Sequence, residues 1–119
     1  MRYGGANRTP KLATSCTTPA VALSASDVVR GRPVYFAVTG PQSGLVVAID
    51  AAALSGDLTA TVQPGAREAQ VVRPPVSLTG CKGKGVLGVQ VPAGKHTVSI
   101  FPAGGGQPLA SRPLTVTDR

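Results

Sequence analysis

The strongest constraint on this chain is its rhythm: apolar residues recur at every second position in short runs, and glycine or proline closes nearly every run. Val34-Tyr35-Phe36-Ala37-Val38-Thr39 is the cleanest case, with Val34, Phe36 and Val38 sharing one face. Successive side chains of a strand point to opposite sides, so such a run buries one face and leaves the other in water. Val21 with Leu23, Leu58 with Ala60 and Val62, Leu87 with Val89 and Val91, and Val98 with Ile100 repeat the pattern. No segment carries the period of an amphipathic helix. Hydrophobic residues make up 42% of the chain but aromatics only 3%, so the core must be built from Val, Leu, Ile and Ala, whose β-branched members pack well on a pleated surface. The expected fold is all-β.

Along the chain, residues 1–17 are polar and aperiodic and read as an N-terminal arm or linker, ordered only when something binds it. A single domain is expected over 18–119, long enough to bury roughly two-thirds of its unfolded surface in one core. After the Val21 strand comes a turn at Ser26-Asp27 and an edge-like Val28-Val29. Leu45 to Ile49 is a continuous apolar run too short for a helix, with Leu45, Val47 and Ile49 facing the core. Asp50-Ala51-Ala52-Ala53-Leu54-Ser55 has helix propensity and reads as a short crossover. Further strands are expected at 69–73, which Pro74-Pro75 ends, at 76–79, at 86–91, at 96–101 and at 109–116. Seven to nine short strands of this kind fit an antiparallel two-sheet sandwich, whose single core should contain Val34, Phe36, Val38, Leu45, Val47, Ile49, Leu87, Val89, Val91, Val98 and Ile100.

Twelve Lys and Arg against five Asp and Glu give a net charge of +7, which attracts polyanions. The basic residues are scattered except at Lys82 and Lys84, in Gly80-Cys81-Lys82-Gly83-Lys84-Gly85, which by composition is an exposed, flexible basic loop. No aromatic residue is interleaved there, so the stacking platform of a single-strand nucleic-acid binder is missing. Cys16 and Cys81 are far apart and lack C-x-x-C spacing, so a structural disulfide is expected in place of a redox or zinc motif. Closing that loop would contribute about 4 kcal/mol in the chain-entropy model, and it implies an oxidising compartment. No stretch approaches the roughly 18 apolar residues of a membrane span. The basic N-terminus lacks the apolar region of a secretory signal, and Leu12 stands one position too far from Cys16 for a lipoprotein cleavage box. Export then requires a signal removed from the numbered chain or a route without one.

Catalytic constellations are sparse. A Ser-His-Asp triad would have to use His96, the only histidine, with Ser99, Ser77 and Asp50 as conceivable partners, and no G-x-S-x-G elbow accompanies it. His96 reads as a rim or surface residue. Asp27, Asp50, Asp57, Glu68 and Asp118 are spread singly over turns and strand ends, which offers no carboxylate pair for glycoside hydrolysis or calcium. Gly83, Gly85 and Gly88 precede or lie in a strand-like segment, not a helix, so they read as turn glycines and not a phosphate cradle. With only Tyr3, Tyr35, Phe36 and Phe101, sugar binding by stacking is disfavoured. No catalytic residue, cofactor, metal site or small-molecule substrate is expected.

The segment Ser26-Asp27-Val28-Val29-Arg30-Gly31-Arg32-Pro33-Val34-Tyr35-Phe36-Ala37-Val38, together with Val91-Pro92-Ala93-Gly94-Lys95-His96-Thr97-Val98-Ser99-Ile100 and Pro113-Leu114-Thr115-Val116-Thr117, resembles bacterial extracellular immunoglobulin-like and fibronectin-type domains. The resemblance covers roughly residues 19–117, and its motifs are turns that any sandwich needs. The chain departs from true immunoglobulin domains in lacking tryptophan and in placing Cys16 ahead of the first strand. The class implies adhesion, spacing or assembly. The leading expectation is a non-enzymatic structural or interaction module of an extracellular assembly or cell surface, with a protein partner or neighbouring copies. The first rival is a polyanion-binding module using Lys82, Lys84, Arg73 and Lys95. The second is a virion or extracellular filament subunit whose residues 1–17 lie on a neighbouring copy.

Overall fold

The computed structural model describes residues 18–41 and 43–118, all of them in strands, turns and irregular segments without a helix. Ten strands follow in order: β1 Ala20–Leu23, β2 Asp27–Val29, β3 Pro33–Thr39, β4 Val46–Ile49, β5 Ala51–Leu54, β6 Ala60–Val62, β7 Gln70–Val71, β8 Lys82–Gly88, β9 Gly94–Phe101 and β10 Ala110–Thr117. They form a three-stranded sheet in the order β1-β3-β8, a five-stranded sheet in the order β2-β10-β9-β4-β7, and the hairpin β5-β6. The all-β expectation holds. The strand count exceeds the expected nine, and β2 runs parallel to β10, so the pairing is not wholly antiparallel.

Alternation along β3 decides the core. Its odd residues are exposed, apart from the half-buried Thr39, while Val34, Phe36 and Val38 are buried. They join Val21 and Leu87 from the same sheet, and Val47, Ile49, Val98, Ile100, Leu114 and Val116 from the five-stranded sheet, in one apolar cluster. Every position assigned to the core from alternation lies in it. Two side-chain bonds tie the sheets together: Arg112 Nε donates to the Val21 carbonyl at 3.0 Å, and Gln70 Nε2 donates to the Gly88 carbonyl at 2.6 Å.

Residues 50–55 depart from the expected crossover. Asp50 has a left-handed φ of 58°, its N–H continuing the ladder to Thr97 O while its carbonyl accepts from Gln63 N. The chain therefore leaves the large sheet at Asp50 and continues as β5, which pairs with β6 around a bulge at Ala51/Ala53. Burial of Ala51 and Leu54 against Val46, Ala48 and Phe101, in a second, smaller cluster, outweighs the weak helical preference of three alanines. The β5–β6 hairpin thus covers the outer face of β4, which explains why Val46 to Ile49 is apolar on both faces.

The hairpin turn carries one titratable feature. Asp57 accepts hydrogen bonds from Ser55 Oγ and, at 3.2 Å, from the Thr59 N–H. The Ser55 hydroxyl first, then Thr59, holds its carboxyl below the ordinary 3.8. A carboxyl depressed on folding stabilises above its unfolded value and loses that contribution as pH falls through the folded one. Amide exchange at Thr59 should therefore accelerate below about pH 3.8 in the native protein, whereas Asp57→Ala should already be fast at neutral pH and lack the acid dependence.

Candidate interaction surface

The Lys82–Gly85 segment is not the flexible loop that its composition implies. It is the first half of β8, paired in register with β3 from Thr39↔Lys82 to Pro33↔Gly88. The glycines are strand residues selected by packing: a Cβ on Gly83 would stand 2.7 Å from Val76 Cγ1, and one on Gly85 2.6 Å from Phe36 Cζ. They point inward because the core already fills that space. Their neighbours Lys82 and Lys84 consequently share the outer face and are both exposed.

Register lays out the rest of that face. Ala20, Thr39 and Lys82 form one row, Ala22, Ala37 and Lys84 the next, and Tyr35 and Val86 the third. Tyr35 is 60% exposed and Val86 51%, the two most exposed large apolar side chains among the described residues. They are directly paired across β3 and β8. With Ala22, Ala37 and Gly85 they line an apolar concavity of about 620 Å³, bordered by Lys84. No carboxylate belongs to these rows. Two large apolar side chains left side by side in water are the pattern of a contact surface. The sequence signal was present in β3, where the solvent face reads Pro33, Tyr35, Ala37 instead of polar residues.

Arg73 joins this surface, since it and Lys84 line one groove of about 290 Å³ beside β8 with Pro74, Pro75 and Val76. Lys95 does not: it opens β9 and borders a separate cavity of about 370 Å³ with His96 and Arg67. Of the four expected polyanion contacts, Lys82 and Lys84 share one face of β8, Arg73 lines the groove beside Lys84 while its Nη2 donates to the Leu58 carbonyl at 3.4 Å, and Lys95 lies elsewhere. Cys81 is not a free thiol. Its expected partner Cys16, like the whole 1–17 arm, lies outside the described residues.

His96 is mostly buried, not a surface residue. Its Nδ1 lies 2.5 Å from Asp50 Oδ2 and its Nε2 2.6 Å from the Pro92 carbonyl, while Asp50 Oδ1 accepts the Thr97 N–H at 3.1 Å. Both ring nitrogens face oxygen atoms of the fold, one a carboxylate and one a main-chain carbonyl. Ser99 bonds to Ser111 Oγ at 2.8 Å, and neither Ser99 nor Ser77 reaches His96. The left-handed turn at Asp50 aims its carboxylate at the start of β9, and the group acts as a clasp between the β4–β5 kink and that strand. No cluster of three or more His, Cys, Asp or Glu among the described residues could hold a metal. No helix among them is long and apolar enough to cross a membrane.

No protein-family model matches the chain, and no curated protein matches it significantly. Among solved structures, a polysaccharide lyase superposes over 98% of this chain with a TM-score of 0.53 and 13% identity. The Pseudomonas fluorescens alkylpurine DNA glycosylase AlkC, bound to DNA containing an abasic site analog, covers 92% of the chain with a TM-score of 0.49 and 15% identity. The chain spans 14% of the lyase and 33% of the glycosylase. At such identity the first likeness is one of fold alone.

Proposed function

We propose that this chain is a non-enzymatic protein-interaction module with an immunoglobulin-like sandwich fold, acting outside the cytoplasm and docking a partner on the outer face of β1-β3-β8. The sandwich reading is supported by the division of strands, with β1, β3 and β8 on one side and β4, β9 and β10 on the other, which parallels the A-B-E and C-F-G division of that class. The observation that carries the docking reading is the exposed Tyr35–Val86 pair on an apolar face without carboxylates. Tyrosine gives a large, rigid contact with a polar tip, which is why it is common at interface centres. The extracellular reading rests on the Cys16–Cys81 bond: thiol titration of the denatured, unreduced protein should find no free sulfhydryl, and finding two would remove it.

A photo-crosslinking residue at position 35, introduced in the cells that produce the protein, should give one discrete adduct. The same residue at the exposed Leu109 should give none. No adduct at 35, or equal adducts at both positions, would count against the docking face. The convergence of Lys82, Lys84 and Arg73 favours a second reading, polyanion binding. Under it, affinity for heparin should fall steeply with salt, and Lys82→Ala with Lys84→Ala should flatten the slope by about one unit per lost contact.

A further inference from the structure

The open side of β8 has a backbone pattern that the docking face alone does not explain. In an antiparallel pair, residues alternate between turning their N–H and C=O toward the partner and turning them away. The phase is fixed here by two bonds. Tyr35 N–H and C=O are taken by Ser24 on the β1 side, at 3.0 and 2.8 Å. Even-numbered β3 residues therefore face β8 and bond Gly83, Gly85 and Leu87. Lys82, Lys84, Val86 and Gly88 turn outward, and the two ends agree: Lys82 exchanges both bonds with Thr79, and Gly88 O accepts from Gln70. Between these closed ends, the N–H and C=O of Lys84 and Val86 have no partner among the described residues.

We infer that this edge accepts an extended acidic segment of a partner protein as an added strand, a proposal that rests on the interaction-module reading above. The open stretch spans roughly 7 Å, enough for a peptide of about five residues to form four backbone bonds. The groove lined by Arg73, Pro74, Pro75 and Val76 runs beside it and would take the side chains that point inward. Charge selects the occupant. His96–Asp50 is the only ion pair among the described residues, so Lys82, Lys84 and Arg73 are not neutralised there. A second copy could pair edge to edge with Lys84 opposite Val86, but it would bring together two chains of net charge +7 with their Lys82 and Lys84 side by side, which disfavours self-association. Alternating carboxylates would instead meet Lys82 and Lys84 on the face they share.

The probe is a capped seven-residue peptide of alternating Glu and Val, titrated into the full chain at low salt. Slowed amide exchange at Lys84 and Val86 is expected, with no change at Gly85, whose N–H is already paired. N-methylating the peptide at alternate residues should weaken binding roughly tenfold through lost backbone bonds. Lys82→Ala with Lys84→Ala should weaken it about three- to tenfold, as exposed ion pairs do. Equal binding of the N-methylated peptide, or displacement by heparin without amide protection, would overturn strand addition in favour of a polyanion contact. No binding would mean that the lysines only guard the edge. If the peptide fails while the position-35 crosslink persists, the edge proposal falls alone. If both fail, the module reading falls with it.

Discussion

Replacing Phe36 with alanine should lower the unfolding free energy by about 3–5 kcal/mol, much of the total stability of a domain this size. The ring is 4% exposed and sits between the two large sheets in a core otherwise made of Val, Leu and Ile. The only other phenylalanine, Phe101, serves the separate cluster under the β5–β6 hairpin, so nothing aromatic can move in to fill the gap. Gly85 makes the assignment sharper. A methyl group there would meet the Phe36 ring at 2.6 Å, so Gly85→Ala alone should cost about 1–3 kcal/mol by overpacking. With Phe36 already truncated, that collision is gone. The double variant should therefore lose clearly less than the sum of the two single losses in urea denaturation. An unchanged midpoint for Phe36→Ala would place the ring outside the core, and strict additivity would separate it from Gly85.

The inward side of the fold was legible because burial acts on alternation directly. Val34, Phe36 and Val38 can share a face only in a strand, and a slip of one residue would put all three in water. Pairing between distant segments left no comparable mark, which is why the parallel β2–β10 contact was not anticipated. Composition misled at two places for a common reason. Three alanines at 51–53 carry helical preference, and three glycines at 80–85 carry loop preference, but both preferences are weak beside tertiary packing. Leu54 and Ala51 are held by Phe101 and Val46, and Gly83 and Gly85 are held by the side chains that would strike any Cβ. The exposed pair Tyr35–Val86 needed the register of β3 on β8, since its members stand 51 positions apart in the chain. The clasp at His96 needed the left-handed turn at Asp50, which no local pattern announces.

That clasp supplies the second large effect. Asp50→Ala should destabilise the protein by about 2–5 kcal/mol, from buried hydrogen-bond partners left unsatisfied, about 1–3, and a left-handed alanine, about 1–2. Both side chains are largely shielded, His96 at 11% exposure and Asp50 at 7%. Three losses coincide at this position. The His96 ring keeps its bond to the Pro92 carbonyl but loses the carboxylate, the Thr97 N–H loses its acceptor, and alanine must adopt a φ of 58° that costs it about 1–2 kcal/mol. Asp50→Asn separates these contributions. Its amide oxygen can still accept from Thr97, and asparagine tolerates the left-handed region, but its NH2 group takes the place of the carboxylate oxygen opposite His96, so the loss is confined to that contact. Asn should therefore be milder than Ala by at least about 1 kcal/mol in chemical denaturation. His96→Ala removes the same ion pair from the other side, and combining it with Asp50→Ala should cost clearly less than the two separate losses. If Asp50→Ala and Asp50→Asn are equally mild, the backbone turn holds without the side chain, and the joint between β4 and β5 must be maintained by the Thr97 and Gln63 ladder bonds alone.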